Sequence, residues 1–140
     1  MDSSTANVLI VAHRTAATPA LLEQVRARAT RGRCRFTLVV PRPYWDPETD
    51  EAVITLELAI PLLEEAAGDH VEGIIGDNDP VVAVREMLER ERFDEVIVST
   101  LPERVSRWLR RDLPARVEQL GLPVTVVMAT TSRRRSASSG

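Results

Sequence analysis

Asp94–Val127, DEVIVSTLPERVSRWLRRDLPARVEQLGLPVTVV, is the stretch that decides the fold. It reads as a strand, a tight exit, an arginine-rich helical segment and another strand. Glu95–Val98 is apolar enough for a strand covered on both faces. Gly121 stops the helical segment, and Pro123–Met128 is again apolar and β-branched. A strand–helix–strand unit of this kind belongs to a parallel sheet with a right-handed crossover. In such sheets ligands sit where strands end and helices begin. Here that exit carries Ser99, Thr100, Leu101 and Pro102.

The same alternation extends upstream. Asn7–Ala12, NVLIVA, is a continuous apolar strand. Thr18-Pro19 reads as a helix cap followed by proline at the first helical position. Leu21, Leu22, Val25 and Ala29 form that helix's stripe, and Gly32 ends it. Phe36–Val40 is the second strand. A proline-rich loop, PRPYWDPETD, leads from Pro41 into a helix opened by Asp46-Pro47, with Val53, Leu56, Ile60 and Leu63 as its stripe. Pro61 should kink or interrupt that helix, and Gly68 closes it. Val71–Ile75 is the third strand, with Gly76 turning the chain at its exit. Asp79-Pro80 caps a helix bearing Val81, Val84 and Leu88. After the fourth strand come two helical pieces, Pro102–Arg111 and Leu113–Leu120. Five strands alternating with helices predict an α/β domain over residues 7–129. Residues 1–6 read as a flexible N-terminus, and 130–140, ending in SRRRSASSG, as a disordered polar and basic tail.

The chain of 140 residues is 44% hydrophobic, enough for one domain with a real core. No apolar run approaches the ~20 residues that cross a bilayer. MDSSTA is too polar, and Val8–Ala12 too short, for a signal peptide, so a cytoplasmic location is expected. The net charge of −3 gives no general attraction to nucleic acid or anionic membrane. All 18 basic side chains are arginine. The missing lysine excludes a P-loop lysine, a Schiff base and a receiver-type phosphorylation site. Cys34 stands alone, so no disulfide forms within the chain and no zinc cluster suggests itself.

VLIVAH at the first strand, GDNDPVVAVREML after the third, FDEVIVST in the fourth and LPVTVV at the end together resemble the universal stress protein family, over Asn7–Val127. The resemblance implies a five-stranded parallel sheet of order 3-2-1-4-5 with helices on both faces, the adenine nucleotide alpha hydrolase-like fold. It also implies a dimer through the last strand and, in many members, an adenine nucleotide site. The nucleotide-binding branch carries G-x2-G-x9-G-S/T after the fourth strand. Glycines there let backbone N–H groups approach phosphates at positive φ. The matching positions here are Ser99, Pro102, Asp112 and Leu113, and all four depart. The family's acidic residue after the first strand falls at His13. A divergent member with a degenerate nucleotide loop is what this pattern describes.

That strand order puts the switch point between strands 1 and 4. The candidate cleft is lined by His13, Arg14 and Thr15 on one side and Ser99, Thr100, Arg104 and Arg107 on the other. These imidazole, guanidinium and hydroxyl groups suit an anionic small ligand. The alternative is that Ser99 and Thr100 merely cap the next helix while Arg14, Arg104, Arg107 and Arg111 are a solvated face. Asp77 and Asp79 flank a turn, with no second acidic cluster to complete a metal site. Tyr44 and Trp45 pack a loop or cover a ligand, and Trp108 belongs to the core or an interface. His70 reads as a surface residue, and Cys34 as a small apolar one. No G-x-S-x-G, H-E-x-x-H or nucleophile–base pair appears.

The chain is therefore expected to be a non-catalytic, stress-related binding or regulatory module that uses no cofactor or metal. Binding of an adenine nucleotide or other phosphorylated ligand in the cleft is the alternative. Neither nucleic acid nor a membrane is an expected partner. A homodimer through strand 5, with Val124, Val126 and Met128 at the interface, would satisfy that strand's exposed backbone.

Overall fold

The computed structural model describes residues 5–13, 15–42, 50–101, 108 and 112–128. Among the described residues the elements follow in the order β1 (Ala6–Val11), α1 (Pro19–Thr30), β2 (Cys34–Pro41), α2 (Asp50–Ala67), β3 (Val71–Gly76), α3 (Pro80–Arg90), β4 (Glu95–Thr100), α4 (Leu113–Glu118) and β5 (Val124–Met128). The strands form one parallel sheet of order β3-β2-β1-β4-β5, as expected. β1 is central and pairs with both β2 and β4, as in Ile10 opposite Leu38 and Ile97. The expected helical piece from Pro102 to Arg111 lies outside the described residues apart from Trp108. So do the Tyr44–Trp45 loop and the segment 130–140.

Strand alternation sends neighbouring side chains to opposite faces. Val8, Ile10, Phe36, Leu38 and Val40 pack with α1 and α2. Leu9, Val11, Val39, Val96 and Val98 pack with α3 and α4. This two-sided burial is why β1 reads as an apolar run from Val8 to Val11 and β2 as one from Leu38 to Val40. β5 differs. Only Val127 is buried in it, because the strand is an edge. β3, the opposite edge, exposes Glu72 and Gly73.

α1 buries Leu21 and Val25 fully, with Leu22 and Ala29 packed beside them. Thr18 occupies the N-cap position with extended backbone, but its hydroxyl does not cap the helix. It donates instead to the Thr15 carbonyl at 2.9 Å. Asp79 does cap α3, accepting from the Val81 N–H at 2.9 Å. At the end of α2, Gly68 takes φ 75 and donates its N–H to the Glu64 carbonyl at 2.8 Å.

α2 corrects two expectations. Pro61 lies inside a helix that runs through it. The proline faces solvent, so water can take the Glu57 carbonyl that loses its helical donor. The core-facing residues are Ala52, Ala59, Leu63 and Ala66, while Val53 is exposed. Leu56 and Ile60 sit half-buried over Gly73, where a Cβ would stand 2.8 Å from Leu56 Cδ2 and 3.0 Å from Ile60 Cδ1. Glycine thus lets two branched side chains rest on the edge strand, and alanines bring the helix close to the rest of the sheet.

Gly76 is also not the turn residue expected of it. It is the last residue of β3, and a Cβ there would meet Val39 Cγ2 and Ala83 Cβ, both at 2.8 Å. It is needed for close approach of α3 to the sheet.

Candidate functional site

β1 pairs with β2 on one side and β4 on the other, so the direction in which successive strands are added reverses between β1 and β4. This is the switch point where α/β sheets open a crevice. β1 ends at Val11, and the next residues fold into consecutive turns. The Ala16 N–H donates to the His13 carbonyl at 3.2 Å, and the Thr18 N–H to the Thr15 carbonyl at 3.2 Å. Those turns press Thr15 inward, to 3% exposure.

β4 is two residues longer than its apolar run suggested. Ser99 and Thr100 belong to it, paired with Val127 and Met128 of β5. They are strand residues, and the helix they would cap lies outside the described residues. Ser99 is 1% exposed, and its Oγ lies 2.7 Å from Thr15 Oγ1. A second, longer contact runs from Ser99 Oγ to the Thr15 carbonyl at 3.5 Å. Among the described residues, this neutral hydroxyl–hydroxyl bond ties β4 to the loop after β1. Such a bond contributes about 1 kcal/mol, and leaving either hydroxyl unsatisfied costs more.

Of the other candidates, Thr100 is buried beside Ser99. His13 is half-buried, with Nε2 shielded from solvent. Arg14, Arg104 and Arg107 lie outside the described residues, as do Pro102 and Arg111. The structure thus brings Thr15 and Ser99 into contact. Trp108 is half-buried against the cluster of Leu9, Val11 and Leu113.

Asp112 precedes α4 at φ 61 and ψ 40, the only non-glycine residue with positive φ among those described. An aspartate tolerates this left-handed conformation better than most residues.

Elsewhere the polar groups serve the fold. Asp77 accepts from the Asp79 N–H at 2.9 Å, closing a turn, and no group of three or more metal-ligating side chains exists among the described residues. His70 is exposed, with Nδ1 3.0 Å from Glu64 Oε2. Cys34 packs against the core near α1, and burial pushes its thiol up from the ordinary value, keeping it protonated at neutral pH. At the β5 edge, Val124 is half-buried, while Val126 and Met128 are 38% and 49% exposed.

A charge-assisted contact lies at the opposite end of the sheet and went unmarked in the sequence. Arg28 on α1 grips Glu95 at the start of β4, with Nε to Oε1 at 3.0 Å and an Nη2 to Oε2 bond of 2.8 Å. The hydrogen bond to Glu95 raises the Arg28 pKa further above its ordinary value. Beside it, Asp94 Oδ2 accepts from the Asn7 N–H and the Asp94 N–H returns a bond to the Asn7 carbonyl, both at 2.8 Å. The separation of 67 positions between Arg28 and Glu95 explains why no local pattern revealed the pair.

No protein-family model and no curated protein matches the chain. Solved structures do resemble it. A universal stress protein crystallised in complex with cAMP superposes with TM-score 0.66 at 17% identity, covering 91% of this chain and all (100%) of that one. The universal stress protein from Archaeoglobus fulgidus gives TM-score 0.61 at 14% identity, covering 87% of this chain and 93% of that one. These likenesses define the class of fold: a universal-stress-protein-like, adenine nucleotide alpha hydrolase-like α/β domain. No helix among the described residues is long and apolar enough to cross a membrane.

Proposed function

We propose that this chain is a non-catalytic, cytoplasmic binding or regulatory module of the universal stress protein type, and not a standard ATP-binding protein. The observation that carries this reading is the buried Thr15–Ser99 hydrogen bond of 2.7 Å. A phosphate cradle needs bare backbone N–H groups at the strand exit. Here a serine side chain stands at that exit and is satisfied by a threonine of the facing loop. Asp112 adds a carboxylate at a position where the family resemblance puts glycine, unfavourable beside a polyphosphate.

A second reading is favoured by the similar structure that holds cAMP. An adenine nucleotide or another phosphorylated ligand would enter the same crevice, held by Arg14, Arg104 and Arg107 with the hydroxyls. A thermal-shift series with ATP, ADP, AMP, cyclic AMP and phosphate, with and without Mg²⁺, separates the two. The module reading expects no shift at millimolar ligand. A saturable rise with one adenine nucleotide, abolished by Arg104→Ala, replaces it with the second.

The module is a homodimer in this proposal, joined edge to edge through β5. Support comes from the exposed Val126 and Met128 on an uncharged edge strand. Val126→Pro removes a backbone donor and Met128→Glu places charge at the seam. Light scattering should report a monomer for both, with the Met128 variant retaining native circular dichroism. A dimer that survives both substitutions excludes this interface.

A further inference from the structure

α2 carries a second apolar surface that the fold does not use. Its inner side, Ala52, Ala59, Leu63 and Ala66, is buried in the core. Its outer side presents Ile54, Leu58 and Leu62, at 55%, 66% and 40% exposure, with Val53 beside them at 37%. Ile54, Leu58 and Leu62 stand at i, i+4 and i+8, so they form one continuous ridge. Scattered exposed leucines are ordinary, but a row of large aliphatic side chains on one helix marks a contact surface.

Charge decides what can cover it. Between Asp50 and Ala67 the helix holds Asp50, Glu51, Glu57, Glu64 and Glu65, and no basic residue. Glu57 follows Ile54 by three positions and Glu65 follows Leu62 by three, so each carboxylate adjoins the ridge. Both are exposed, and neither joins a salt bridge among the described residues. A second copy laid ridge to ridge would set these carboxylates against their own kind. Nucleic acid and anionic lipid are repelled for the same reason.

We propose that this face of α2 is the docking surface for a basic amphipathic helix of a partner protein. The partner would present aliphatic anchors at matching i, i+4 spacing with arginine or lysine on either side, seated over Leu58 and paired to Glu57 and Glu65. The proposal is independent of whatever the crevice between β1 and β4 binds.

The test uses two synthetic helical peptides with the same leucine ridge, one flanked by arginines and one by glutamates, titrated by fluorescence anisotropy. The arginine peptide should bind the full-length protein and weaken as salt rises. Leu58→Ser should lower its affinity about tenfold, the loss of one buried aliphatic anchor. The double variant Glu57→Arg, Glu65→Arg should reverse the preference toward the glutamate peptide. Equal binding of the two peptides, or indifference to both sets of substitutions, overturns the proposal. A dimer that Leu58→Ser alone converts to monomer in light scattering also overturns it, because the occupant is then a second copy. Leu58 and the two glutamates are solvent-facing, so unchanged thermal melting should show that the variants remain folded.

Discussion

The two ends of the paired strands β1 and β4 are fastened by different chemistry. At their N-terminal end a bidentate arginine–carboxylate pair, Arg28 with Glu95, joins an asparagine–aspartate exchange between Asn7 and Asp94. At their C-terminal end the neutral hydroxyl pair of Thr15 and Ser99 joins β4 to the β1 loop among the described residues. Charge-assisted bonds are shorter and roughly twice as strong as neutral ones. The sheet is therefore clamped firmly at the end where α/β proteins carry no ligand, and lightly at the end where they do. Losing the neutral tie should therefore cost the domain less than breaking the ionic clamp.

The contrast breaks most visibly at the firm end. Arg28→Ala leaves the largely buried Glu95 carboxylate without its fork and should cost about 2 kcal/mol in urea unfolding. Arg28→Lys should recover only part, because an ammonium cannot make both bonds. A loss below about 0.5 kcal/mol would place the clamp with ordinary surface pairs. At the light end, Ser99→Ala and Thr15→Val should each cost about 1.5 kcal/mol, more than the bond itself, because each leaves the other hydroxyl buried without that partner. The double variant should fall short of their sum by roughly 0.5–1 kcal/mol, since one shared bond is removed twice. Strict additivity would show that the two hydroxyls do not depend on each other. The smallest effect sharpens the account of the loop before α4. Asp112→Gly should change stability by no more than about 0.5 kcal/mol, relief of the left-handed backbone being offset by a freer unfolded chain. Asp112→Val should cost about 1–2 kcal/mol in the same assay.

Much of the fold is legible because its determinants are local. Apolar runs such as Asn7–Ala12 mark strands covered on both faces, and Asp79-Pro80 announces the start of α3 from two adjacent residues. Strand order was supplied by family resemblance, since periodicity alone does not say which strands are neighbours. Errors fell where tertiary packing outweighs local preference. Pro61 is tolerated because the missing hydrogen bond faces water, and α2 turned its alanines inward because Gly73 accepts Leu56 and Ile60 above the sheet. The candidate site was legible only by position. Thr15 and Ser99 were selected for lying at strand exits, but their contact across 84 residues has no sequence signature. The one available hint is that Ser99 and Thr100 continue an apolar strand, where buried hydroxyls need partners.

The two borders of the sheet are unequal. β3 interrupts its outer rim with Glu72 and two glycines, whereas β5 offers VTVVM without a charge. Adhesion at both borders would let copies join head to tail without limit. With a single adhesive border, association stops once two such borders have met. In the homodimer proposed above, this asymmetry would act as a chain terminator, permitting pairs and preventing fibres.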